Sequence, residues 1–277
     1  MIKQILIPQD GSDHSSSALD YGIWLARPME ARLIGLYVMD IVTMEGPFFH
    51  DLSGSLGFEP YLNFSVKMRE LLEARGENIM EGFIEVCDKA KVDHEKIVAS
   101  GVVVREICEK AKVADLVIMG RFGINVEFEY GLLGSTTEGV IRKTSKPVLV
   151  VPGSFAAPVK PLLAYDGGAT AAKAMHSAAE LVKTMGLPLT VLAVAGREES
   201  DRLLSGAKEY LKPYGVKAEY ISREGSPHKE IVSCHKEGGH DMLFMGASHH
   251  SRIVEMVLGS TTEHVVRAVQ GPIFLER

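Results

Sequence analysis

Residues 116–151 read LVIMGRFGINVEFEYGLLGSTTEGVIRKTSKPVLVV, and residues 242–275 read MLFMGASHHSRIVEMVLGSTTEHVVRAVQGPIFL. Both run in one order: an apolar strand ending in Met-Gly, an irregular loop, Leu-Gly-Ser-Thr-Thr-Glu, a helix, and a short strand after a proline. Two copies of so specific an order mark an internal repeat. In each copy a buried strand delivers the chain to a glycine, where a ligand can approach the backbone closely. The loop then returns to Gly134-Ser135 or Gly259-Ser260 and a new helix begins. The N–H groups of such a first turn, with the helix dipole, favour an anion such as phosphate. A plainer alternative is that Ser135–Glu138 and Ser260–Glu263 form capping boxes that only start a helix.

Working outward, the repeat extends to the whole chain. Lys3–Pro8 reads as a short buried strand followed by Asp10-Gly11; Pro161–Tyr165 followed by Asp166-Gly167 matches it. Apolar residues at helical spacing over 15–26 and a strand over 31–38 complete a βαβ unit, which implies a parallel sheet with right-handed crossovers. Further strands are expected near 95–100, 116–120 and 148–151, with helices over 65–91, 104–111 and 135–143. In the second half, strands fall at 188–194, 217–222, 242–246 and 272–275. Helices there fall at 169–185, 198–214, 227–236 and after Ser260. The expected boundaries are a first domain over 1–152, a linker over 153–160 marked by the run from Pro152-Gly153-Ser154 to Pro158, and a second domain over 161–277.

The halves are not equal. Asp10 and Asp166 are offset by 156 residues, whereas Gly101 and Gly225 are offset by 124, so the first half carries 32 extra residues. Residues 40–64, without a clear period but holding Phe48, Phe49, Phe58, Tyr61 and Phe64, are the place expected for most of them. Packing, rather than a ligand pocket, is the expected use of these aromatics.

Composition narrows the function. The chain has 277 residues, 46% hydrophobic and 24% charged, with a net charge of −6. These are values of a globular protein of about two domains, and no basic stripe for nucleic acid is present. No apolar run reaches membrane-spanning length, and the N-terminus reads as a strand rather than a signal peptide. Three cysteines without Cys-x-x-Cys spacing point to a reducing cytoplasm. His235, His240, His249, His250 and His264 match no zinc spacing and read as surface residues. Ser12, Ser15, Ser16 and Ser17 near His14 read as helix-start residues, not as nucleophile and base. No Gly-Lys-Ser/Thr ending marks a P-loop, and no Gly-x-Gly-x-x-Gly turn follows the first strand.

If the first and fourth strands are neighbours, one crevice at their carboxyl ends gathers Asp10, Gly120, Gly123, Gly134 and Ser135. Val38 would face a base, and the glycine loop and helix start would face phosphates. The chain resembles the universal stress protein family, as a tandem two-domain member. The residues that carry the resemblance are Asp10, Gly120-x-x-Gly123 and Gly134-Ser135-Thr136 in the first half, with their counterparts in the second. The resemblance implies an α/β fold: two tandem open five-stranded parallel sheets in the order 3-2-1-4-5, with helices on both faces, of the Rossmann-like, adenine nucleotide alpha hydrolase-like kind. It implies ATP or another adenine nucleotide as ligand and a regulator in stress response; bound Mg²⁺ would offset the loop carboxylates Glu127 and Glu129, and the residues show no dedicated catalytic set. ATP turnover is expected to be very slow at most.

Carried over by position, the first site comprises Pro8, Gln9, Asp10, Val38, Met119, Gly120, Gly123, Gly134, Ser135 and Thr136. The second comprises Ala164, Tyr165, Asp166, Val194, Met245, Gly246, His249, Gly259, Ser260 and Thr261. Ten residues separate Gly123 from Gly134 where the family motif has nine, Glu127 and Glu129 lie in that loop, and His249 stands where the second half should have glycine. Gly123 is expected to supply a positive φ that His249 would adopt only at a cost of about 1–2 kcal/mol, which makes the first site the tighter one. The two domains are expected to pack as a pseudo-dimer through their last strands, with a further homodimer left open. An apo interaction module and an adenylyl-transferring enzyme are the competing functions; His14 lacks the His-x-Gly-His context of the latter.

Overall fold

Ile5, Leu6 and Ile7 are completely buried, as a run of three apolar residues must be when both faces of its strand are covered. They form the centre of β1 (Gln4–Pro8). The computed structural model describes residues 2–40, 58–124, 133–247 and 259–277, with side chains of the second segment described from residue 66. After β1 come α1 (Asp13–Met29), β2 (Arg32–Asp40), α2 (Phe58–Ala90), β3 (His94–Gly101), α3 (Val103–Ala111), β4 (Leu116–Gly120), α4 (Ser135–Lys143) and β5 (Val148–Val151). The second half repeats the order: β6 (Pro161–Ala164), α5 (Ala169–Met185), β7 (Leu189–Val194), α6 (Arg197–Leu211) with a 3₁₀ turn Lys212–Tyr214, β8 (Ala218–Arg223), α7 (Pro227–Glu237), β9 (Met242–Gly246), α8 (Ser260–Ala268) and β10 (Ile273–Glu276).

Each half has the strand order 3-2-1-4-5, all parallel. The two expected sheets are joined into one sheet of ten strands, because β5 and β10 pair antiparallel with Val150 opposite Ile273 and Leu149 opposite Phe274. An apolar edge left unpaired would expose its backbone groups, and here each half covers the other's. After β5 the chain crosses α1, where the Tyr21 hydroxyl donates to the Ala156 carbonyl at 3.1 Å and Phe155 packs edge-on to the Tyr21 ring.

Alternation along the strands divides the core into two layers. Ile5, Ile7, Leu116 and Ile118 face α1 and α2, while Leu6, Val117 and Met119 face α3 and α4; Leu163 and Phe244, against Leu162 and Leu243, repeat this with α5 and α7. The connections leave β1 and β4 for opposite faces, which opens a crevice between their carboxyl ends.

Two expectations need correction. Helix α2 begins at Phe58, seven residues earlier than its periodicity suggested, so the extra length of the first half is shared between the connection and the helix. Helix α2 has 33 residues, against 15 for α6 and three for the turn after it. Residues 41–57, with Phe48 and Phe49, lie outside the described residues. His240 is buried at 6% exposure rather than on the surface, with its ring nitrogen Nδ1 3.2 Å from the Lys160 carbonyl. Cys87 and Cys234 are buried and Cys108 half-buried, all three as free thiols, with burial pushing the Cys87 thiol up to about 12.

Candidate functional site

The turn after β1 is built around one carboxylate. Gly11 takes φ 82°, a conformation glycine adopts freely, and Asp10 Oδ1 accepts the Ser12 N–H at 2.9 Å. Asp10 Oδ2 reaches across the crevice to accept the Ile124 N–H at 3.0 Å. Ser12 caps α1, accepting the Ser15 N–H at 3.1 Å, and the Ser15 and Ser16 hydroxyls donate back to the Ser12 carbonyl. These serines therefore start the helix. His14 packs edge-on to Phe122, and burial pushes its imidazole below the ordinary range. The buried Gln9 amide donates to the Ser15 carbonyl at 3.1 Å.

On the other side of the crevice α4 begins without a side-chain cap. Its N-cap is Gly134, whose N–H donates to the Arg121 carbonyl at 2.8 Å. The Thr137 hydroxyl donates to the Gly120 carbonyl at 2.8 Å and fixes the helix start against the end of β4. The capping-box alternative fails here for a positional reason. With glycine as N-cap, Ser135 is already inside the helix, and Glu138 lies one residue too far along to reach back. It pairs with Arg142 instead. The second half repeats this, with Gly259 as N-cap and Glu263 paired to Arg267.

Between these walls lies a cavity of about 370 Å³, within the range of about 300–1,000 Å³ found for small-molecule sites. Pro8, Gln9, Asp10, Val38, Met119, Gly120, Gly123, Gly134, Ser135 and Thr136 all line it, so the structure brings the whole first-half set together. Leu36, Val103 and Ile107 extend the apolar wall. Tyr37, Leu72 and Arg75 also line it and were not anticipated. The Tyr37 hydroxyl donates to the Leu72 carbonyl at 3.3 Å, and Gly76 admits the ring, since a Cβ there would lie 2.4 Å from it. Arg75 Nη2 donates to the Asp10 carbonyl at 3.1 Å and brings a cation to the rim. In sequence Arg75 is one charged residue among many on a long amphipathic helix, with no motif to single it out.

The reason Gly123 must be glycine differs from the expected one. Its φ is not positive; a Cβ would instead stand 2.8 Å from Asp10 Oδ2.

The second crevice is smaller, about 210 Å³, and is lined by Ala164, Tyr165, Asp166, Val194, Met245, Gly246, Gly259 and Thr261. Ser260 opens α8 but does not line the cavity. Asp166 Oδ1 accepts the Gly168 N–H at 2.8 Å, and Gly167 takes φ 77°. Among the described residues lining this cavity there is no cation equivalent to Arg75. Glu127, Glu129 and His249 lie outside the described residues. Among the described residues no group of three or more His, Cys, Asp or Glu side chains is placed to hold a metal ion, and no helix is long and apolar enough to cross a membrane.

The sequence profile of the universal stress protein family matches residues 1–152 and, a second time, 193–275. The chain belongs to the universal stress protein family. It is 29% identical over 287 residues to a universal stress protein of Synechocystis sp., with all of both chains covered. A universal stress protein of Methanocaldococcus jannaschii is 33% identical over 153 residues, covering 54% of this chain and 82% of the relative. Among solved structures, a universal stress protein of Archaeoglobus fulgidus superposes with a TM-score of 0.79 over 99% of this chain and 98% of its own. At 23% identity that likeness establishes the fold: two tandem universal stress protein units of the Rossmann-like kind.

Proposed function

We propose that this universal stress protein binds an adenine nucleotide, ATP, in the Asp10–Gly134 crevice and acts as a nucleotide-responsive regulator of the stress response in the cytoplasm. The observation that supports this most is the start of α4. A helix N-terminus with a glycine cap and no capping side chain opens into a cavity of ligand size, and such an end favours phosphate. The apolar wall of Val38, Val103, Ile107 and Met119 suits a base, and Arg75 suits an anionic ligand. Both Asp10 oxygens accept backbone N–H groups, and Mg²⁺ would enter with the nucleotide's phosphates. The Asp166–Gly259 crevice, smaller and without a cation among its described lining residues, is the weaker site, and the two halves act together as an intramolecular pseudo-dimer.

The described lining of the first crevice holds no lysine of the P-loop type, and of its two aspartates, Asp10 and Asp40, Asp10 is held by backbone N–H groups; this supports binding with very slow turnover at most. Calorimetric titration with Mg·ATP tests the reading on the wild type, Gly134→Glu and Gly259→Glu, with folding checked by circular dichroism. Loss of the tighter site in Gly134→Glu alone is expected. Wild-type protein that binds no ATP at millimolar concentration would overturn the proposal, and loss of the tighter site in Gly259→Glu would assign it to the other half.

A further inference from the structure

Two arginines cross the seam between the halves in opposite directions. Arg121 follows β4 and is 7% exposed. Its Nη1 donates to the Val266 carbonyl at 3.1 Å and its Nη2 to the Val269 carbonyl at 2.6 Å. These carbonyls belong to the last turn and the C-cap of α8, where backbone acceptors have no partner within the helix. Arg277 follows β10. Its Nε donates to the Thr144 carbonyl at 3.1 Å and its Nη2 to the Arg142 carbonyl at 2.8 Å, at the corresponding end of α4.

Helices α4 and α8 are the two whose glycine-capped starts open into the two crevices. Each is held at its far end by a cation from the other half. A cation at a helix C-terminus complements the dipole as an anion does at the N-terminus, and a guanidinium spanning two carbonyls fixes direction as well as charge. A nine-residue helix spans about 13 Å, a distance a rigid element transmits without loss of register.

Duplication alone does not explain the pattern. By the register of the repeat, the counterpart of Arg121 is Ala247 and that of Arg277 is Pro152. Two inequivalent positions therefore converge on equivalent helix ends. Arg121 is also part of the first crevice through its backbone, since its carbonyl accepts the Gly134 N–H. The Arg277 carbonyl accepts Lys173 Nζ at 2.7 Å, on the helix that follows the Asp166 turn.

We propose that Arg121 and Arg277 are cross-half positioning residues: Arg277 sets ligand affinity at the Asp10–Gly134 crevice, and Arg121 sets it at the Asp166–Gly259 crevice. The described lining of each crevice comes from its own half, and the opposite half acts on it through the far end of the helix that opens there. The affinity part rests on the nucleotide reading above; the positioning part does not.

The test uses the full chain. Arg277→Met is combined with Gly259→Glu, which leaves the first crevice, and separately with Gly134→Glu, which leaves the second. Titration with Mg·ATP should show affinity at the first crevice reduced roughly 3- to 10-fold, the range helix-terminus charges supply, and affinity at the second within about 2-fold. Arg277→Lys should recover part of the loss, and Arg121→Met should weaken the second crevice. Amide exchange decides the positioning without ligand. The Glu138 N–H bonds to the Gly134 carbonyl and the Glu263 N–H to the Gly259 carbonyl, each the first helical bond beside its crevice. Arg277→Met should speed exchange at Glu138 and leave Glu263 unchanged. If both amides respond equally or neither responds, the arginines only stabilise the seam and the proposal is overturned. If wild type binds no ATP but the exchange pattern is as stated, the nucleotide reading fails and the cross-half positioning stands.

Discussion

The Asp10 carboxylate accepts the N–H of Ile124 at 3.0 Å, joining the turn after β1 to the loop after β4 across 114 residues of sequence. The other carboxylate oxygen holds the Ser12 N–H. One side chain thereby sets the width of the first crevice on both sides. It does so because Gly123, beside Ile124, leaves room for it.

Gly123→Ala should therefore displace the Asp10 carboxylate, since the added carbon would stand 2.8 Å from Oδ2. The expected outcome is loss of ligand at the first crevice with a stability loss of about 1–2 kcal/mol, the scale of a local overpacking. Asp10→Ala should weaken the same site by freeing the loop, at about 0.5–1.5 kcal/mol for the two lost hydrogen bonds, since one N–H is part-buried and the other exposed to water. Urea unfolding and calorimetry check both. Wild-type affinity in Gly123→Ala would show that the carboxylate does not shape the site.

The seam between the halves should be the least tolerant region. Val150 is fully buried opposite Ile273, so Val150→Asp places a carboxylate with no partner in the core. A loss above about 3 kcal/mol is expected, because an unpaired buried charge is among the costliest single changes. Solution scattering should show a less compact chain and calorimetry a lower melting temperature. An unchanged profile in both would mean that the β5–β10 pairing contributes little to holding the halves together.

Acid should destabilise the protein in the histidine range. Burial lowers the pKa of His14, His235 and His240 below the ordinary value of 6.5. As pH falls through about 6.5 the unfolded chain takes up these protons first, so stability declines from there and levels off once the folded values are passed. Urea midpoints at pH 7.5 and 5.5 measure the slope, and the double variant His14→Gln, His235→Gln should flatten it. Equal slopes in variant and wild type would assign the acid sensitivity to other groups.

The strands, their parallel order and the repeat were legible in the sequence because both patterns are local. Val117 and Met119 alternate with Leu116 and Ile118, and β4 and β9 end at the same Met-Gly. Asp10, Gly120 and Gly134 could be placed in one crevice because the strand order follows from the βαβ succession. The helix start at Ser135 was legible, but the choice between a capping box and an uncapped start was not, because it turns on one residue of register: with Gly134 as N-cap, Glu138 turns to Arg142. Arg75, Tyr37, Arg121 and Arg277 escaped notice for another reason. Arginines are ordinary on any surface, and what distinguishes these is the carbonyl each one meets. For Arg121 and Arg277 those carbonyls lie 133 to 148 residues away, a separation closed only when β5 and β10 pair.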